Sequence, residues 1–127
     1  MPVVSISLNK EILKEADRIQ QELGFSGRSE VIRTGLRMLI ASSKEKRELA
    51  GRLRSILLLI HHKKAEDVVT EIKHEYEAIT KSQIHDHLGE GKCLEIFVLD
   101  GDADKIKEME RLFITSRKMD YVELVIV

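Results

Sequence analysis

Hydrophobic and polar positions change their period several times along this chain, and each change marks an element. From Val3 to Leu8 they alternate, with Val4, Ile6 and Leu8 on one side and Val3, Ser5 and Ser7 on the other. That is the period of a half-buried strand. After Asn9, a good N-cap, the period lengthens, and Ile12, Leu13, Ala16, Ile19 and Leu23 recur at helical spacing until Gly24. A second helix starting at Ser26 or Ser29 carries Val31, Ile32, Leu36, Leu39 and Ile40 on its apolar stripe. It runs into the charged stretch Ser42 to Glu48, which predicts a domain boundary between residues 1–48 and 49–127.

The second part follows another rhythm. Arg54 to Ile60 reads as a buried strand, and Lys63 to Ile79 as an amphipathic helix with Ala65, Val68, Val69 and Ile72 on one side. Lys81 to Leu88 and Lys92 to Leu99 read as two strands around a turn that holds Gly89 and Gly91. Asp102 to Ser116 is helical in period, and Asp120 to Val127 alternates again. The order strand-helix-strand-strand-helix-strand predicts a ferredoxin-like split β-α-β domain, so the fold class is α+β.

A unit of one strand and two helices is too small to bury much surface alone. Two copies pairing their strands antiparallel would complete it, and the resulting two-stranded ribbon fits the major groove of B-DNA. The first part resembles the ribbon-helix-helix repressors in its strand Val3 to Leu8, its Gly24-Phe25 turn and the run Arg28-Ser29-Glu30-Val31-Ile32-Arg33. The resemblance implies a dimeric β-α-α domain that binds double-stranded DNA.

Composition adds constraints. Hydrophobic residues make up 43% of the 127 and aromatic ones 4%, so the core must be aliphatic. The longest apolar run, Ile56 to Ile60, is far too short to cross a membrane. Met1-Pro2-Val3-Val4 lacks the pattern of a signal peptide, and a single cysteine suits a reducing compartment, so a cytoplasmic location is expected. Residues 1–54 hold 11 Lys and Arg against 7 Asp and Glu, while the remainder holds 10 against 15. A basic first part and an acidic second part suggest two modules with different partners.

The densest chemistry is His74, then ten residues, His85-Asp86-His87, then five residues, and Cys93. Residues two apart on a strand share a face, so His85 and His87 can serve one ion, and the glycine turn returns Cys93 alongside. Three imidazoles and a thiolate make a four-coordinate set for a transition metal. No general base stands beside an open coordination position and no nucleophile–base pair is evident, so an enzyme is not expected.

With both parts in place, the chain resembles the nickel-responsive transcriptional regulators, which join a ribbon-helix-helix domain to a ferredoxin-like, ACT-type domain. The most specific resemblance is the His74, His85, His87 and Cys93 spacing followed by Leu94 to Leu99. It implies square-planar Ni²⁺, one per subunit, held by His85, His87 and Cys93 of one subunit and His74 of another. It also implies a homotetramer, a dimer of dimers, whose two N-terminal dimers engage two half-sites of a DNA operator as a repressor. Glu95 is expected to orient an imidazole. His61 and His62, matching no ligand, are expected to form a solvated strand end, with a secondary, weaker metal site as the alternative.

For DNA, Val3, Ser5 and Ser7 would face the bases, and Arg28 and Arg33 would clamp phosphates. Relatives commonly carry a basic residue where this chain has Val3. The family's second cation site uses two carboxylates of the second helix; Glu30 supplies one, but Thr34 stands at the other position. The alternative is a ribbon-helix-helix regulator whose ACT-type domain senses a small molecule such as an amino acid.

Overall fold

The computed structural model describes residues 2–127, so Met1, the first residue of the expected N-terminal domain, lies outside the described residues. The chain divides into two compact units, residues 1–47 and 48–127.

The first unit consists of α1 (Lys10–Leu23) and α2 (Arg28–Arg47) behind an extended segment. Asn9 caps α1 as expected: its Oδ1 accepts from the Ile12 amide at 2.9 Å, satisfying one of the amides that a helix start leaves unpaired. Gly24 closes α1 with φ 76°, a left-handed conformation that glycine adopts without steric cost. Neither helix has a buried residue, and Leu23, Met38, Leu39 and Ile40 are all at least 60% exposed.

The strand expected over Val3 to Leu8 does not form in the single chain. A strand exists through hydrogen bonds to a neighbouring strand, and none in this chain lies beside residues 3–8. In the single chain the N-terminal unit is thus an exposed segment without regular secondary structure followed by two helices.

The second unit is a four-stranded antiparallel sheet with two helices on one face. The elements are β1 (Arg52–His62), α3 (Glu66–Glu75), β2 (Thr80–Gly89), β3 (Lys92–Asp102), α4 (Ala103–Thr115) and β4 (Met119–Ile126). The strand order is β2-β3-β1-β4, the topology expected of the split β-α-β pattern. Within β1, Ser55, Leu57, Leu59 and His61 are buried in strict alternation, so this face meets the helices. Leu57, Leu59, Phe97, Leu99, Ile106, Met109 and Phe113 are fully covered and make the centre of the core. The stacked rings of Phe97 and Phe113, 6.1 Å apart, join β3 to α4.

The helix expected over 63–79 is shorter than its apolar pattern. It is the ten-residue α3 between 3-10 turns at Lys63–Ala65 and Glu77–Ile79. The Tyr76 amide reaches the carbonyls of both Ile72 and Lys73, the tightening that ends an α-helix in a 3-10 turn.

Candidate metal centre

The β2–β3 hairpin builds the centre of the site. Its two-residue turn, Glu90-Gly91, has φ 54° and φ 76°, both positive as a type I′ turn requires. That turn sets the register in which His85 pairs with Glu95 and His87 with Cys93. The β1–β3 ladder places His61 opposite Cys93. His61, His85, His87, Cys93 and Glu95 thus project from three neighbouring strands onto one face, at one end of the sheet.

On that face His85, His87 and Cys93 each offer a ligand atom within 4.8 Å of the others. Cys93 Sγ lies 3.8 Å from His87 Nδ1, and the rings of His85 and His87 are 5.1 Å apart. Two imidazoles and one thiol form a donor set suited to a borderline transition metal such as Ni²⁺, which takes nitrogen and sulfur ligands. Cys93 is buried, and that burial, followed by the charges of Glu66 and Glu95, pushes its thiol above the ordinary range. A bound cation would reverse this balance by favouring the thiolate.

His74 does not join the cluster. It is the ninth residue of α3, whereas Glu66, the first, reaches His61 and His85. At ~1.5 Å per residue the helix carries His74 about 12 Å along its axis from that end. Its side chain is 84% exposed and lines a groove with Thr70, Lys73 and residues Thr80 to Gln83 at the start of β2.

His61 corrects an expectation. It is fully buried rather than solvated, because it continues the inward-facing alternation of Ser55, Leu57 and Leu59. Its Nδ1 donates to the His62 carbonyl at 2.8 Å, and its Nε2 meets Glu95 Oε2 at 2.5 Å. Glu95 is also buried; its other oxygen accepts from Gln83 Nε2 at 2.8 Å and lies 3.7 Å from His85 Nδ1. His62 is half-buried and accepts from the Lys64 amide, capping the turn that follows β1.

The expected DNA-facing residues divide differently. Val3, Ser5 and Ser7 are exposed in the extended segment. Arg28 makes two hydrogen bonds to Asp17, at 2.9 and 3.1 Å, and Arg33 bonds Glu30 at 3.0 Å. Arg37 reaches both Glu30 and Thr34, at 3.4 and 3.2 Å.

Glu66 and Gln83 are the site residues that sequence reasoning passed over. No local period marks Glu66, because its approach depends on the turn between β1 and α3. His61 carried no clear signal either, because the run Ile56 to Ile60 is apolar at both parities.

Residues 55–127 match the family of the NikR C-terminal nickel-binding domain. A relative from Methanococcoides burtonii, named as a nickel-responsive regulator, is 32% identical over 124 residues, covering 95% of this chain and 89% of its own length. One from Methanocaldococcus jannaschii, named likewise, is 38% identical over 112 residues, covering 86% of this chain and 79% of its own. An uncharacterized protein from Thermotoga maritima has the same fold over 61% of this chain and 99% of its own, with a TM-score of 0.57 at 19% identity. Regulatory rather than enzymatic in kind, this chain belongs to the family of nickel-responsive regulators.

Proposed function

We propose that this chain is a nickel-dependent transcriptional repressor in which His85, His87 and Cys93 of one copy and His74 of another hold one Ni²⁺ per subunit. The observation that carries the reading is the split of the four expected donors. Three converge within 4.8 Å in one chain, while the fourth stands exposed near the far end of α3. A site with three donors in one chain and its fourth on a second copy is a sensor of association. Nickel held by these residues would tie two copies together and favour the thiolate form of Cys93. Glu95 Oε1, 3.7 Å from His85 Nδ1, would help to orient that imidazole.

A homotetramer fits the C-terminal sheet. Its helix-free face carries Ile56, Leu58, Ile60, Leu94 and Ile96, apolar residues that helices do not cover in one chain. The N-terminal unit likewise leaves its apolar helix positions open, as dimerisation through paired Val3–Leu8 segments requires. Paired segments would turn Val3, Ser5 and Ser7 to base edges. Arg28 and Arg33 would exchange their present partners, Asp17 and Glu30, for phosphates. Joining two such dimers raises the effective concentration at the second operator half-site.

Titration of the metal-free protein with nickel, followed by absorption and by sedimentation, tests the reading. A thiolate-to-nickel band should saturate at one ion per chain. It should vanish in Cys93→Ala and weaken by roughly 10-fold or more in His74→Ala. A band independent of both residues would overturn the assignment.

A further inference from the structure

Glu95 stands where a fourth ligand could come from the same chain. It faces His85 across the β2–β3 ladder and follows Cys93 by two residues, so its side chain shares a face with both donors. Yet the hairpin donors that lie within 4.8 Å of one another are His85, His87 and Cys93, without it. We propose that His61 and Gln83 are positioning residues that hold the Glu95 carboxylate out of the nickel coordination sphere. The fourth donor must then come from a second copy. This role, which rests on the nickel reading, explains why the set waits for a partner.

Both oxygens of Glu95 are engaged. Oε2 meets His61 Nε2 at 2.5 Å, and Oε1 accepts from Gln83 Nε2 at 2.8 Å. His61 is fully buried and Glu95 is 1% exposed, so water cannot stand in for His61. Breaking that bond leaves a buried carboxylate unsatisfied, which is costly. His61 is itself fixed. Its Nδ1 faces the His62 carbonyl at 2.8 Å, and a carbonyl only accepts, so that nitrogen carries hydrogen and Nε2 is left to face Glu95. The same Nε2 lies 3.7 Å from Glu66 Oε2, so one imidazole draws both carboxylates at this end of the sheet.

The approach left to Glu95 is Oε1 to His85 Nδ1 at 3.7 Å, near enough to orient that ring while Gln83 fixes the direction of the oxygen. A freed carboxylate here would complete four donors within one chain and bind nickel without linking copies. Held as it is, Glu95 leaves the set one donor short. His74, 84% exposed on α3, is then free to supply the fourth to another copy.

Nickel titration of the full chain, followed by the thiolate band, reads this through the dependence on His74. In the unmodified background His74→Ala weakens nickel by roughly 10-fold or more. In a His61→Leu background, which frees Glu95, the same change should cost less than about twofold. His61→Gln, whose amide can still donate to Glu95, should restore the full cost, and so should Glu95→Gln added to His61→Leu. Gln83→Ala, at a half-buried position, frees the other oxygen and should lower the His74 dependence in the same direction. Circular dichroism reports the folding of each variant, and Gln83→Ala decides the matter if His61→Leu does not fold. Full His74 dependence in the folded variants, loss of nickel binding in a folded His61→Leu, or a lost dependence that Glu95→Gln fails to restore would each overturn the proposal. In the metal-free chain the ring protons of His61 should exchange slowly with solvent by NMR, and fast exchange would overturn it equally. A missing thiolate band in the unmodified chain would remove the nickel reading instead, and the exchange of His61 would still report whether Glu95 is held.

Discussion

The two units treat their apolar residues in opposite ways. In residues 48–127 the alternation of β1 and β3 and the apolar stripes of α3 and α4 close on one another, and Phe97, Phe113, Leu57 and Leu59 lose all contact with solvent. In residues 2–47 the periodic pattern is just as regular, yet no residue of α1 or α2 is buried. A four-stranded sheet can cover one face with its own two helices; two helices and an unpaired segment cannot. The contrast shows that regular patterning specifies which face must be covered, while the number of elements in the chain determines whether the chain itself can cover it.

The sharpest way to break this comparison is to cut the same kind of side chain from each unit. Phe113→Ala should cost about 3–5 kcal/mol in chemical denaturation of the C-terminal unit, because it leaves a cavity beside Phe97. Leu39→Ala, at a position 66% exposed, should cost under about 0.5 kcal/mol at protein concentrations where copies are separate. A larger cost that appears only as protein concentration rises would show a second copy covering α2.

The hairpin that builds the metal cluster comes next. A methyl group at Gly91 would stand 2.8 Å from His62 Nε2 on a backbone with φ 76°. Gly91→Ala should therefore destabilise by about 1–3 kcal/mol. It should also weaken nickel binding, since the β2–β3 register pairs His87 with Cys93. Normal nickel affinity in that variant would mean the register tolerates a strained turn.

In the N-terminal unit, Asn9→Ala removes the acceptor for the Ile12 amide and should cost about 1 kcal/mol, read as lost helicity. The smallest effect concerns acid. Hydrogen bonds from Arg52 and then Arg54 hold the Asp100 carboxyl below its ordinary value of 3.8. A depressed value stabilises the folded state above pH 3.8 and loses that contribution as pH falls through the lowered value. Asp100→Asn should accordingly flatten the acid limb of the stability curve, and an unchanged limb would contradict the pairing.

Much of the C-terminal unit was legible. The glycine turn and the His85-x-His87 spacing together implied that two imidazoles and Cys93 would meet. His61 was misread because an adjacent His61-His62 pair ending an apolar run resembles a solvated terminus. The run Ile56 to Ile60 is apolar at both parities, so only the burial of Ser55, Leu57 and Leu59 against the helices shows that His61 faces inward. Glu66 had no local signal, since it stands in the first turn of α3 and only the path of the chain after β1 brings it to His61 and His85.

By itself the sequence determined the order of elements from β1 to β4, the caps of α1 and the donor trio at the hairpin. These follow from backbone periodicity and turn chemistry over a few residues, which local order sets. Tertiary structure alone decided that Glu66 and Glu95 span His61 and His85, that His74 stands apart from the trio, and that Val3 to Leu8 carries no ladder. Those outcomes depend on which segments meet across the chain, and for Val3 to Leu8 on a hydrogen-bonding partner that a single chain does not contain.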